Sequence, residues 1–476
     1  MPLDPDTCYR ALRSRDTRFD GRFFVAVSST RIYCRPVCTV RPPKRENCRF
    51  YPSAAAAEDA GYRPCLRCRP ELAPGNASVD AVQRTAHAAA NIIEDQQLEE
   101  VSVSAIAARI GITDRHLRRV FHSEFGVSPV QFAQTQRLLL AKRLLTDTRL
   151  PVTEVAYASG FGSVRRFNHL FRERYRLSPG DLRKRMRACG SQDVLTFELS
   201  YRPPYDWPAM LDFLAARAIP GVEQVEGSAY RRTARVKGPK DIHRGWLEVT
   251  QSKRKNALRV DLSATLARIV PFVLSRVKYL MDLSCQPEQI AAALGELAAE
   301  NAGIRLAGAF DGFEVGVRAV LGQQISVAAA RTIAGRFAQA FGEPLSTPHA
   351  ALTHTFPHPA VIATATLDSI ARLGIIAARV CTVQSLARAL DDGEISLTPG
   401  AEVESTLDKL RALPGIGEWT AQYIAMRALA WPDAFPHTDL GVMKALNERN
   451  PARVLAVAEL WRPWRAYAVM HLWRSL

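Results

Sequence analysis

The 476-residue chain lacks any apolar run near the ~18 residues that a membrane-spanning helix requires, and Met1 to Arg22 is charged throughout where a secretory signal would be apolar. The expected compartment is therefore the cytoplasm. Glycine has no period of three, and 47% hydrophobic with 23% charged residues excludes a collagen-like or disordered chain. Cysteine is scarce, nine in all, and a reducing compartment makes clustered thiols metal ligands or nucleophiles rather than a disulfide framework. Negative charge is also short: 47 Asp and Glu face 63 Lys and Arg, a net +16. That sign suits phosphate backbones or anionic surfaces. The excess is uneven, because residues 1–192 hold 32 basic against 19 acidic side chains and the remainder 31 against 28.

At about 150 residues per domain, the length predicts roughly three domains. Residues 1 to about 72 hold six of the nine cysteines, alternate short β-type runs such as Phe23–Val27 with proline-containing loops, and end at Ala73-Pro74-Gly75-Asn76. From about 79 to 187 the apolar spacing turns helical and repeats itself. Val103 to Gly111 matches Val152 to Gly160, and Phe121 to Pro129 matches Phe171 to Pro179, an offset of 49 to 50 residues. A β-type start at Val194–Tyr201 opens strand-like segments to about 265, followed by helices rich in Ala and Leu. A division near 280 is expected there.

Cys34-x3-Cys38 and Cys65-x2-Cys68 are two short-spaced thiol pairs separated by 26 residues, a set that can hold one tetrahedral ion, with zinc the natural choice. Spacing alone favours a closed structural ribbon. The sequence around the ligands, Ser29 to Cys38, Pro42 to Asn47 and Gly61 to Cys68, resembles the metal-binding domain of the Ada family of methylation-damage sensors. That resemblance implies that Cys34 accepts a methyl group from a DNA methylphosphotriester, with Cys38, Cys65 and Cys68 as fellow zinc ligands. Metal binding favours the nucleophilic thiolate, and the nearby Arg31, Arg35, Arg41, Lys44 and Arg45 are expected to meet DNA phosphates. Four thiolates on one Zn²⁺ sum to −2 and methylation leaves −1, so the modified module should be repelled less by DNA. Cys8, Cys48, Cys189, Cys285 and Cys381 have no such spacing and read as ordinary thiols.

In each repeat a helix, a glycine-containing turn and a second helix follow in order, as a helix-turn-helix requires. The second helices, Asp114 to Phe125 and Ser163 to Tyr175, are basic. They offer Arg115, His116, Arg118 and Arg119 in one copy, and Val164, Arg165, Arg166, Asn168 and His169 in the other. Thr113 and Ser163 are suited to cap them. A solvated bundle face would explain either helix alone, whereas two matched copies favour a reader. The block resembles the AraC-type DNA-binding domain through Val155–Phe161, Phe167–Phe171 and Ser178-Pro179, which implies adjacent half-sites about one helical turn apart.

Leu413-Pro-Gly-Ile-Gly417 sets a tight turn before a helical stretch, so that amides near Gly415 and Gly417 can face a phosphate, and Pro436-His-Thr-Asp439 follows. Together these resemble the helix-hairpin-helix glycosylase superfamily. Pro203–Trp207, Phe213–Arg217, Gly316–Gln323 and Trp461–Trp473 resemble the AlkA family of alkylbase glycosylases within it. The resemblance implies that Asp439 is the catalytic carboxylate; an aspartate so placed is otherwise most often a helix cap. Trp419 stands where lyase-type members carry a lysine nucleophile, which predicts a monofunctional enzyme. An alkylated cationic base needs an aromatic face, which Trp419, Tyr423 and Trp473 can supply, although core packing would also explain Tyr423. Gln324 occupies the position expected to fill the gap left by a flipped base, and Leu440 replaces an aromatic seen in some relatives.

The expected architecture is multidomain α+β: a small zinc-bound α/β module over 1–75, an all-α double helix-turn-helix domain over 79–190, an AlkA-like α+β domain over 193–280, and an all-α helix-hairpin-helix domain over 281–476. No Pro-Cys-His-Arg motif, the mark of Ada's second methyl acceptor, occurs. The resemblances imply a bacterial, nucleoid-associated monomer that binds double-stranded DNA, alkylated and promoter, and contacts RNA polymerase. The competing expectation is a transcription regulator with a structural zinc site and an inactive glycosylase-like domain.

Overall fold

The computed structural model describes residues 4–75, 81–95, 102–185, 193–237 and 241–476. Cys189 and Asn76 lie outside the described residues. The chain forms two compact units: one comprises Met1–Pro203, Ser252–Ser275 and Leu283–Gln286, the other Pro204–Gln251, Arg276–Asp282 and Pro287–Leu476. No helix among the described residues is long and apolar enough to cross a membrane.

The first unit begins with a helix, Pro5–Ser14, and a four-stranded sheet in the order Cys48–Tyr51, Phe24–Val27, Ile32–Cys34, Arg63–Pro64. Alternation along Phe23 to Ala26 divides the burial between two faces, as a pleated strand requires. Phe23 and Val25 join Cys8, Ala11, Leu12 and Cys48 under the first helix. Phe24 and Ala26 pack with Tyr33, Ala54, Ala57 and Tyr62 beneath the helix Ala54–Asp59.

Helices Val103–Ile110, Asp114–Phe125, Pro129–Asp147, Val152–Ala158, Val164–Tyr175 and Pro179–Arg185 then give the repeated pattern physical form. Pro129–Asp147 joins the two repeats and starts in a capping box, in which Ser128 and Gln131 satisfy each other's backbone amides. It also ties the helical block to the cysteine module. Lys142, 1% exposed, pairs with Glu71 at 2.5 Å, and Arg69 pairs with Asp147 at 2.7 Å. Removing one partner of such a buried pair would leave the other charge without compensation. Strands Val194–Ser200 and Ala257–Ser263 form an antiparallel pair in the same unit.

The second unit holds an antiparallel meander, Glu223–Glu226, Ala229–Lys237 and Ile242–Gln251. The expectation of strand-like segments through this region is interrupted by a helix, Trp207–Arg217. Asp206 accepts from Ala209 N at 2.9 Å and Pro208 sits in the first turn, local signals that outweigh the β-type composition around them. Helix Gly312–Leu321 lies at the centre. A Cβ on Gly316 would sit 2.7 Å from a Leu386 methyl, so a larger residue there would force Leu386 on helix Ala377–Asp391 to shift. Arg232 and Arg318 bind Glu314, and Arg318 also binds Glu223, forming a buried ionic cluster between this helix and the meander. Helices Val403–Ala412, Glu418–Arg427 and Arg465–Arg474 complete the part that matters for chemistry.

Candidate functional site

Parallel pairing of Ile32–Cys34 with Arg63–Pro64 sets Tyr33 beside Pro64, which carries Cys34 and Cys65 side by side off neighbouring strands. Cys65 N donates to Tyr33 O at 3.0 Å. Tight turns then return Cys38 and Cys68, and all four Sγ atoms lie within 4.8 Å of one another. Zn–S bonds of about 2.3 Å in a tetrahedron need sulfurs about 3.8 Å apart, so this donor set fits zinc. Arg35 N donates to Cys68 Sγ and Arg67 N to Cys65 Sγ, each at 3.4 Å, which favours thiolate at both sulfurs. Hydrogen bonds among the thiols push Cys34 up and pull Cys65 down. Cys34 is 6% exposed.

The expected phosphate-facing arginines divide. Arg31 is exposed, with its guanidinium over the Tyr62 ring. Arg45 is half-buried, pairs with Asp6 at 3.1 Å and lies over Phe50. Arg35 corrects the sequence reading: it is 7% exposed and forms a bidentate pair with Asp20, Nε to Oδ1 at 2.8 Å, so it braces the metal loop from inside rather than meeting DNA. The residue count near the cysteines gave no sign of this, because Asp20 lies 15 positions upstream. Cys8, Cys48 and Cys285 are buried and Cys381 is exposed.

On the second helices of the two repeats, Thr113 accepts from His116 N at 3.3 Å and Ser163 from Arg166 N at 3.4 Å, the N-caps the sequence suggested. Leu117, Val120 and Phe121 face inward, leaving Arg115, Arg118 and Arg119 exposed beside a half-buried His116. Phe167, Phe171 and Tyr175 do the same for the second copy, where Arg165, Arg166 and His169 are exposed and Asn168 half-buried. Val164, Arg165, Asn168, His169, Arg172 and Glu173 line a shallow concavity on that helix.

In the second unit, Asp439 precedes helix Leu440–Ala445 and caps it, Oδ1 accepting from Val442 N at 3.0 Å. The cap does not exhaust the carboxylate. Trp473 Nε1 donates to Oδ1 and Trp419 Nε1 to Oδ2, each at 2.8 Å. Trp419 stacks on Tyr423 with centroids 5.4 Å apart, and Tyr423 lies 6.3 Å from Trp473, so one aromatic wall surrounds one carboxylate. The sequence missed the cations behind it. Arg217 lies 3.9 Å above Phe213, which stacks on Trp473, and Arg427 approaches the same ring while donating to the Tyr423 hydroxyl at 3.0 Å. Burial would raise the Tyr423 phenol, but Arg427, Arg217 and Arg318 together hold it below its usual value. The spacings Trp419, Tyr423, Arg427 and Phe213, Arg217, four residues apart on single helices, are the signal that would have found them.

Gly415 takes φ +81° in the turn between helices Val403–Ala412 and Glu418–Arg427, and a Cβ there would sit 2.1 Å from Thr382 Oγ1. Gly417 begins the second helix, so its exposed turn presents a helix N-terminus as expected. Gln324 is exposed in a left-handed backbone conformation, φ +54°, between helices Gly312–Leu321 and Val327–Phe341. Leu440 is 82% exposed beside Asp439.

Profiles of known families match four stretches in order. These are the metal binding domain of Ada over 7–71, a helix-turn-helix domain over 106–185, the AlkA N-terminal domain over 196–311, and the HhH-GPD superfamily of base excision DNA repair proteins over 317–454. A "probable bifunctional transcriptional activator/DNA repair enzyme AlkA" from Mycobacterium tuberculosis is 39% identical, covering 100% of this chain and 97% of that protein. "DNA-3-methyladenine glycosylase 2" of Escherichia coli is 38% identical over 58% of this chain and 96% of its own length. The solved 3-methyladenine DNA-glycosylase from Archaeoglobus fulgidus matches with TM-score 0.50 and 19% identity, over 58% of this chain and 97% of that one, a likeness of fold.

Proposed function

The chain belongs to the family of bifunctional transcriptional activators and DNA repair enzymes that joins an Ada-type metal-binding domain and a helix-turn-helix domain to an AlkA-type glycosylase, and from that premise we propose that it both excises alkylated bases and responds to DNA methylation. The observation that carries the first activity is the Asp439 carboxylate held by two indole N–H donors within an aromatic wall. A flipped cationic base such as 3-methyladenine stacks against Trp419, Tyr423 and Trp473, where ring faces favour positive charge. The N-glycosidic bond breaks with its electron pair leaving on the base, which neutralises it. Asp439 faces the positive charge developing on the sugar and assists the water that adds to C1′. The indole donors orient the carboxylate without protonating it. Trp419 has no amine to form a Schiff base, so hydrolysis ends at the abasic site and the enzyme is monofunctional. Gln324 fills the vacated stack, and the turn at Gly415 and Gly417 holds a phosphate.

For the second activity, Cys34, Cys38, Cys65 and Cys68 would hold zinc, which would keep the bound sulfurs as thiolates. Cys34 Sγ forms a bond to the methyl carbon of a methylphosphotriester while the C–O bond breaks, and the diester leaves as the phosphate anion. Arg31 and Arg45 meet the flanking phosphates. Arg115, His116, Arg118 and Arg119, with Arg165, Arg166 and Asn168, read promoter DNA in adjacent major grooves, and a monomer so placed recruits RNA polymerase.

Base release from methylated duplex DNA tests the glycosylase. Release by the native protein and none by Asp439→Asn supports the reading; none by the native protein leaves a DNA-binding regulator. Peptide mass spectrometry after incubation with methylphosphotriester DNA tests the acceptor. One added methyl on Cys34, absent in Cys34→Ala, is expected; zinc retained with no methyl would make the centre structural.

A further inference from the structure

Gln324 and its neighbour Gln323 have opposite environments. Gln324 is exposed, with φ +54°. Gln323 is half-buried, and its Nε2 donates at 2.9 Å to both the Gly415 carbonyl and Thr420 Oγ1, on the two sides of the helix-hairpin-helix turn. The Gln323 carbonyl accepts from Arg379 on helix Ala377–Asp391. That same helix supplies Thr382, against which Gly415 is seated so closely that no Cβ would fit. The loop that carries Gln324, the turn at Gly415 and helix Ala377–Asp391 therefore share one hydrogen-bonded junction.

We propose that Gln323 is a positioning residue that couples phosphate capture to base flipping: by clamping the Gln324 loop onto the Gly415 turn, it makes the grip on the backbone and the insertion into the vacated stack a single rigid act. This rests on the glycosylase reading above. Free rotation of Gln324 relative to the turn would let the protein hold a phosphate without holding the duplex open, so the clamp acts on the flipping equilibrium and not on encounter with DNA. Gln324 spends its left-handed backbone conformation in projecting the side chain from the loop, and the clamp keeps that projection aimed. A Gln323→Glu side chain keeps the volume and can accept from the Thr420 hydroxyl but loses the donor that binds the Gly415 carbonyl and Thr420 Oγ1, so it breaks the clamp without opening a cavity.

The test uses the full chain and a duplex with 2-aminopurine next to a 2′-fluoro-stabilised 7-methylguanine, whose flipping unstacks the fluorophore. In Gln323→Ala and Gln323→Glu the fluorescence rise at saturating protein should fall several-fold. Base release from ordinary methylated DNA should lose about ten-fold in kcat, roughly the effect of one to two hydrogen bonds, with KM and affinity for undamaged duplex within about two-fold. Arg379→Ala should act in the same direction. Variants that flip and cleave like the native protein would overturn the clamp while leaving the glycosylase intact. A loss confined to KM and duplex affinity would also overturn it, since that marks a plain DNA contact. Failure of the native protein to release any base would overturn the glycosylase reading, and the clamp with it.

Discussion

Asp439 caps a helix with the same carboxylate that is proposed to face the sugar, and its neighbours decide how separable the two duties are. The cap bond to Val442 N uses Oδ1, while the two indole donors fix both oxygens toward the aromatic wall. Asn caps helices about as well as Asp, so Asp439→Asn should melt within a few degrees of the native protein. Its rate of base release should fall by about 100-fold or more, the scale lost when a charge facing the transition state is removed. Measuring both separates chemistry from folding. Trp473→Phe keeps the ring against Phe213 and Tyr423 but deletes one donor to a charged acceptor, worth about 1.5–3 kcal/mol, so release should slow by about ten-fold or more in a single-turnover assay. An unchanged rate in that variant would mean that Trp419 alone orients the carboxylate.

Among the elements, the second helices of the two repeats and the glycosylase turn were legible in the sequence because each follows a local rule. Apolar spacing put Leu117, Val120 and Phe121 inside in one copy and Phe167 and Phe171 inside in the other, and Thr113 and Ser163 cap where the pattern starts. The four-cysteine cluster was legible from cysteine spacing for the same reason. What stayed hidden depends on distant partners: Asp20 drawing Arg35 inward, Arg427 reaching Phe213 from another helix, and Gln323 bridging to Gly415 are contacts between residues that no periodicity links. The helix Trp207–Arg217 was obscured by β-type segments on either side, although Asp206 and Pro208 mark its start. The exposed arginines make their own prediction. Replacing Arg165 and Arg166 together with alanine should weaken binding to every duplex and lower the salt dependence by about one to two ions if they meet phosphates. If they meet bases, the loss should be confined to the preferred promoter sequence, at about 1–3 kcal/mol per contact. A salt titration on both DNA types distinguishes the two.

At the scale of the whole chain, most of the net positive charge lies in the first 192 residues, where a buried carboxyl joins the cysteine module to the repeated helical block. Glu58, 2% exposed, accepts from the hydroxyl of Tyr33, the residue before Cys34, at 3.0 Å, and from Thr135 on the helix joining the repeats at 3.4 Å. Its backbone carbonyl accepts from Arg174 on helix Val164–Tyr175 at 3.1 Å. Burial raises this carboxyl to about 7 despite the opposing hydrogen bonds of Tyr33 and Thr135 and the charges of Arg174 and Lys142. The folded value therefore lies above the ordinary 4.5. A group raised in this way contributes stability that is fully present below the unfolded value and is lost as pH climbs through the folded one. Between about pH 4.5 and 7 the first unit should lose up to about 1.4 kcal/mol per pH unit from this group. Glu71 beside Lys142 is lowered instead, so its contribution disappears on the acid side of that window. Glu58→Gln keeps an acceptor for Tyr33 and carries no charge, so its melting temperature should be flatter from pH 5 to 7.5 and exceed that of the native protein above pH 7. His349 and His358 in the second unit, which burial lowers, are the same in both proteins and cancel in the difference. Parallel curves would show that Glu58 ionises in the fold without strain, and that the junction between Cys34 and the reader is held by its neutral partners alone.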